Sequence, residues 1–196
     1  MLSSAREKID PWINALARPF AEVGLGPNTL TVIGALLGSL AAVLFALQEP
    51  ARAGAILLLS GFFDAIDGAV ARMTGGPTLF GGILDSVLDR YVDFAILAGI
   101  IWGGLAEFAG QPSWFWGVLA LAGSLMVSYT RARAEASGTG KLAVGIAERG
   151  ERILILAVGG IIGCVNYAVV LVAVLTHVTV AHRMIVAWQR LVYRWR

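Results

Sequence analysis

The stretch DAIDGAVARMTGGPTLFGGILDSVLD, residues 64–89, decides how this chain is read. It places Asp64, Asp67, Gly68, Ala71, Arg72, Gly81, Asp85 and Asp89 at regular intervals in otherwise apolar sequence. Asp64 follows the apolar run from Ala55 to Phe63, and Asp89 leads into the run from Phe94 to Leu105. An ionised carboxylate at bilayer depth is costly unless it is paired or binds a metal. Asp64 and Asp67 are three apart and share one helix face; Asp85 and Asp89 are four apart and share a face of the next helix. Thr74-Gly75-Gly76-Pro77 predicts a short turn, so the two helices are expected to pair antiparallel and bring both acid pairs together. Four oxygen-rich side chains there suit a hard divalent cation such as Mg²⁺ or Mn²⁺. Gly68, Ala71 and Gly81 leave room for a ligand such as a nucleotide, and Arg72 adds a fixed positive charge for a phosphate or an aspartate.

The rest of the chain places this stretch in a membrane. Only 14% of its 196 residues are charged and 58% are hydrophobic, whereas a soluble domain carries about 25% charged residues. Mean hydropathy is +0.77. A crossing needs about 20 apolar residues, and residues 28–47, 51–73, 79–108 and 112–133 each supply one. From Ile153 to His182 the only titratable basic side chains are histidines, and no acid occurs. One helix of that length would run about 45 Å, too long for a core of about 30 Å. A break near Gly163 to Asn166 therefore predicts two crossings. The expected fold class is an all-α polytopic membrane protein, with six transmembrane helices over 28–195 and a single domain over 1–196.

Over residues 1–20, Leu2, Ile9, Trp12, Ile13, Leu16 and Phe20 recur at roughly helical spacing among charged residues. This predicts an interfacial amphipathic helix; a plain solvated helix is the competing reading. Basic residues gather on one side of the predicted topology. Arg6, Lys8 and Arg18 precede the first crossing; Arg72, then Arg131, Arg133, Lys141, Arg149 and Arg152, then Arg183, Arg190, Arg194 and Arg196 follow at alternate loops. Only Arg52 falls on the other side. The positive-inside rule puts both termini and the acid-rich stretch in the cytoplasm. Trp102, Trp114, Trp116, Trp188 and Trp195 near crossing ends fit an aromatic belt. Gly34-x3-Gly38 and Gly159-Gly160 permit close helix packing, within a monomer or a dimer.

A net charge of +2 gives no case for nucleic acid, and the one cysteine, Cys164, has no intrachain partner. Ser137-Gly138-Thr139-Gly140 reads as a loop. His177 and His182 stand about 140° apart on a helix and form no metal pair.

The spaced acids, with Gly68, Ala71, Arg72 and Gly81, resemble the signature of the CDP-alcohol phosphotransferase family at every motif position. The hydropathy, with about six crossings and an amphipathic first helix, is similar as well. The resemblance implies transfer of a phosphatidyl-type group from a CDP-linked lipid to the hydroxyl of a small alcohol, with release of CMP. It implies that Asp64, Asp67 and Asp85 bind two Mg²⁺ or Mn²⁺ ions. Asp89 would be the general base while also touching the metal site. Asp64, Gly68, Ala71, Arg72 and Gly81 would line the CDP pocket, with Asn28 and Thr31 close to the cytidine. A homodimer is the family's expected assembly.

A second segment concerns the acceptor. Ser128-Tyr129-Thr130-Arg131-Ala132-Arg133-Ala134-Glu135 precedes Glu148-Arg149-Gly150-Glu151-Arg152, and Arg183 follows. These arginines exceed what topology needs and suit a phosphate on the acceptor; topogenic or headgroup-binding arginines are the plainer reading. The segment resembles the inositol-phosphate branch of the family. That resemblance implies that Ser128, Arg131, Arg149, Arg152 and Arg183 hold the phosphate of inositol phosphate. The product would be phosphatidylinositol phosphate or its archaeol counterpart. Glycerol 3-phosphate is the nearest rival acceptor, and a cation- or proton-coupled transporter is the rival of another class. A plain buried ion-pair network for the acids is disfavoured because few basic residues are expected at their depth. Asp93 extends the Asp85–Asp89 stripe by one turn and is given no role.

Overall fold

A computed structural model describes residues 2–193 except Pro77, and the side chains from Pro11 to Val192 within that range. The turn expectation at Pro77, the belt position of Trp195 and the basic side chains of Arg6, Lys8, Arg194 and Arg196 lie outside the described residues. The described residues form seven helices: α1 (Leu2–Glu22), α2 (Pro27–Ala46), α3 (Pro50–Met73), α4 (Leu79–Trp102), α5 (Ser113–Ala136), α6 (Arg149–Ile161) and α7 (Val165–Tyr193). No strand occurs among them; Phe108 and Gln111 form an isolated bridge between α4 and α5.

The helix limits follow local chemistry. Pro27 and Pro50 open α2 and α3, where the missing N–H is unneeded and φ is already helical. Thr78 caps α4, its Oγ accepting from the Gly81 N–H at 3.0 Å. At the start of α6 the Glu151 carboxylate accepts from the Glu148 N–H at 2.9 Å, tying down the first turn. The break between α6 and α7 centres on Gly163, at φ +74°, a left-handed conformation that glycine adopts without strain. This is where the sequence predicts a break.

Helices α2, α3 and α7 are each long and apolar enough to cross a membrane. The charges of α4 and α5 dilute their hydropathy. Asp85, Asp89 and Arg90 lie in the first half of α4 and Asp93 just past its middle, and Arg131, Arg133 and Glu135 lie at the end of α5. Helix α6 differs most from expectation. Its 13 residues reach about 20 Å at 1.5 Å per residue, short of a core of about 30 Å. The cause is Gly163, which ends the helix while its polar first turn serves the site.

Packing departs from the expected hairpin. Helices α3 and α4 do not pair along their length; α2 packs against both. Helix α6 rests on α3, α5 on α7, and α1 on α3. Close approach depends on glycine: a Cβ on Gly160 of α6 would stand 2.6 Å from the Pro50 carbonyl oxygen and 3.2 Å from the Gly54 Cα of α3. Phe45, Leu57, Ile96, Leu97, Ile100, Val169 and Val172 form the sealed centre. Outside it, Leu36, Leu40, Val43, Leu58, Leu171, Val174 and Val178 point outward. Such an apolar exterior is disfavoured in water and suits lipid tails.

Candidate functional site

The acids converge where α2, α3 and α4 meet. One ligand oxygen from each of Asp64, Asp67 and Asp85 lies within 4.8 Å of the others. Asp67 is buried, and its Oδ2 accepts from the Thr31 hydroxyl of α2 at 2.6 Å. Asp85 Oδ1 is also buried and has no hydrogen-bond partner among the described residues. A buried, partnerless carboxylate oxygen facing two further carboxylates is unstable by itself and matches the donor set of a hard divalent ion. The site therefore fits Mg²⁺ or Mn²⁺. Asp89 lies outside this three-acid group. It stands beside the group, 3.0 Å from Arg149 Nη1 and 3.3 Å from Arg90 Nη1.

Two concavities flank the acids. The first is a cleft of about 110 Å³ bounded by Asn28 and Thr31 of α2, Asp67, Gly68 and Ala71 of α3, and Thr78, Gly81 and Asp85. Gly81 lets Asn28 come close: a Cβ there would stand 2.8 Å from both Asn28 Oδ1 and Thr78 Oγ. Arg72 is exposed, and its guanidinium folds back to 3.7 Å from where a Gly68 Cβ would stand. All the sequence-predicted nucleotide-side residues except Asp64 and Arg72 line this one cleft.

The second is a cavity of about 620 Å³, lined by Asp85 and Asp89 of α4, Ser128 and Arg131 of α5, Lys141 and Glu148 of the loop, Arg149 and Arg152 of α6, and Arg183 of α7. Asp85 lines both concavities. All five predicted acceptor-side residues reach this cavity, but their states differ. Arg183 is 2% exposed and donates from Nε to the Val144 carbonyl at 2.8 Å and from Nη1 to the Val127 carbonyl at 2.6 Å. Its Nη2 stands 3.7 Å from Glu148. Arg131 pairs with Glu135 at 3.2 Å. The Leu142 N–H, at 2.8 Å, and then the Arg131 guanidinium hold the Glu135 carboxyl below the usual carboxylate range. Ser128 makes only a helical contact, to the Ser124 carbonyl at 3.5 Å.

Arg149 joins the two halves of the site. Its Nη1 lies 2.7 Å from Asp64 and 3.0 Å from Asp89. Arg152 binds Asp93 at 2.6 Å. The expectation that few basic residues reach the depth of the acids is thus corrected: the first turn of α6 delivers two. Residues 137–148 hide this in the sequence, because a loop without pattern decides where α6 begins. Arg90 also reaches the site without having been singled out, and Asp93, Lys141 and Glu148, noted in the sequence, were given no role there. For Asp93 the signal was its place one turn beyond Asp89.

Fold and acid cluster together define an all-helical, membrane-type protein with a candidate divalent-metal site. The chain belongs to the CDP-alcohol phosphatidyltransferase family, which it matches over residues 25–192. It is 46% identical over 191 residues to the archaetidylinositol phosphate synthase of Pyrococcus horikoshii, covering 97% of this chain and 98% of that relative. The enzyme of the same name from Methanothermobacter thermautotrophicus is 43% identical over 188 residues, covering 92% of this chain and 93% of its own. Among solved structures, phosphatidylinositol phosphate synthase of Mycobacterium tuberculosis with CDP-DAG bound superposes with a TM-score of 0.79 at 30% identity, covering 90% of this chain and 93% of that one. The same enzyme is also solved in complex with manganese and citrate.

Proposed function

We propose that the protein transfers a phosphatidyl-type group, diacylglycerol phosphate or archaeol phosphate, from a CDP-linked lipid to a hydroxyl of inositol phosphate, with release of CMP. The observation that carries this reading is the position of Asp85 in the wall between a narrow cleft and a wide basic cavity. A donor diphosphate at the acids would present its phosphorus to an acceptor in the cavity. The relatives' names favour inositol phosphate over glycerol 3-phosphate.

Asp64, Asp67 and Asp85 would hold the divalent ions, with Asp89 at their margin. When bound, such ions neutralise charge on the diphosphate and on the departing CMP. Asn28, Thr31, Gly68, Ala71, Arg72 and Gly81 would shape the CDP side. Asp89 takes the proton from the acceptor hydroxyl as its oxygen bonds to the lipid-side phosphorus. The phosphoanhydride bond breaks, and its electron pair leaves on CMP. Ser128, Arg131, Arg149, Arg152 and Arg183 would form the acceptor-phosphate side, with the half-buried Ser128, Arg131 and Arg149 meeting phosphate and the buried Arg152 and Arg183 holding the wall.

The topology that serves this reaction is a single domain over 1–196 with six crossings, α2 to α7, the short α6 being completed by its flanking residues. Trp12, 75% exposed, and Leu16 give α1 an apolar face for the membrane surface. The basic loops favour cytoplasmic termini and a cytoplasmic site, and the family favours a homodimer.

The test is CMP release from radiolabelled CDP-lipid with Mg²⁺ or Mn²⁺. Turnover is expected with inositol phosphate. Turnover with glycerol 3-phosphate alone would overturn the acceptor, and vesicle flux without CMP release would support a transporter instead.

A further inference from the structure

Asp93 lies one turn beyond Asp89 on α4, outside the spaced acid pattern, and the function proposed above gives it no part. Its side chain is 8% exposed and faces Arg152, 4% exposed, at 2.6 Å. Arg152 also donates to the Ala147 carbonyl at 2.9 Å. The second Asp93 oxygen stands 3.6 Å from Arg149 Nε. That distance is an ion pair rather than a hydrogen bond, and Nε is buried with no hydrogen-bond partner. The far end of the same guanidinium turns to Asp64 and Asp89.

We propose that Asp93 is a positioning residue, which holds Arg149 between the acid cluster and the basic cavity and so sets affinity for the phosphorylated acceptor. The inference rests on reading that cavity as the acceptor site. A guanidinium is a rigid fork, so its direction is fixed once its root and one tip are held. Asp93 holds the root, through Nε. Through Arg152 it also anchors the first turn of α6, from which Arg149 projects. An arginine at a helix N-terminus opposes the helix dipole, so Arg149 depends on carboxylates for its place. Without Asp93 the remaining attraction comes from Asp64 and Asp89, with Asp85 behind them. Arg149 would then be drawn toward the acids, and an incoming phosphate would have to win it from two carboxylates at closer range.

Removing Asp93 alone leaves Arg152 buried without its partner, which destabilises any protein whatever the role of the acid. Arg152 also lines the acceptor cavity, so the informative comparison is the double replacement Asp93→Leu with Arg152→Leu against Arg152→Leu alone. Both lack Arg152, and any further change belongs to Asp93. The KM for inositol phosphate of the double variant is expected at least fivefold above that of Arg152→Leu, while the two KM values for CDP-lipid agree within twofold. Asp93→Asn, assayed at reduced temperature, is the second arm. Asparagine keeps an oxygen for Arg152 but removes the charge felt by Arg149, so the same split is expected against the wild type. An acceptor KM in the double variant no higher than in Arg152→Leu, or a wild-type acceptor KM in Asp93→Asn, overturns the proposal and leaves Asp93 as the neutraliser of Arg152 only. Equal rises in both KM values also overturn it. Absence of CMP release from the wild-type protein with CDP-lipid and inositol phosphate would instead sink the functional reading itself.

Discussion

The Thr31 hydroxyl donates to Asp67 at 2.6 Å, linking α2 to the acid cluster of α3. Helix α2 packs against both α3 and α4, so this bond orients a buried carboxylate from the helix that both acid-bearing arms share. Thr31→Val keeps the shape and removes the donor. A hydrogen bond to a charged group contributes about 1.5–3 kcal/mol. The Mn²⁺ concentration for half-maximal CMP release is expected to rise about tenfold or more, with acceptor KM unchanged. An unaltered metal titration would show that Thr31 does not orient Asp67.

Gly81→Ala tests the nucleotide side. The new methyl would stand 2.8 Å from Asn28 Oδ1 and from Thr78 Oγ, so one of them must move. Overpacking of this kind costs about 1–3 kcal/mol. The effect is expected chiefly in the CDP-lipid KM and in CMP affinity, both readable by titration. Equal loss of affinity for both substrates would place the damage elsewhere.

Asp89→Asn separates chemistry from binding. Loss of a general base lowers the rate by about 10²- to 10⁴-fold. CMP release should fall by that order, while CMP still binds in the presence of Mn²⁺. A variant with normal turnover would remove Asp89 from the proton-transfer step.

Gly160→Val addresses the fold rather than the site. Its Cβ would stand 2.6 Å from the Pro50 carbonyl oxygen, and neither backbone can yield easily. The α3–α6 seam should open at a cost of about 2 kcal/mol or more, seen as a lowered melting midpoint in detergent. Because α6 carries Arg149 and Arg152, acceptor KM should worsen along with stability.

Helix positions were legible because membrane-grade apolar runs and their breakers announce themselves. Pro27, Pro50 and Gly163 mark ends that the structure places within a residue or two of expectation. The joint cluster of Asp64, Asp67 and Asp85 was legible for the same reason, since spacing on a helix fixes a face. What lay beyond reach was partnership between elements. Nothing in residues 64–89 reveals that α2 packs against both arms. Nor does the charge list reveal that Arg183 directs its nitrogens to backbone carbonyls. Those contacts depend on how the loop over 137–148 folds, and hydropathy carries no information about it. Asp93 was visible as a stripe position, but its partner Arg152 lies 59 positions away.

The cleft is bounded by α2, α3 and the start of α4, whereas the basic cavity draws its remaining walls from α5, α6, α7 and the loop before α6. Asp85 stands at the border. On the proposed function, donor recognition rests mainly in the N-terminal half of the polypeptide and acceptor choice mainly in the C-terminal half. The C-terminal half can accumulate substitutions that retarget the enzyme to a different alcohol while the N-terminal half keeps its grip on the activated lipid, and a chimera exchanging only those later helices is the natural engineering route to a new headgroup.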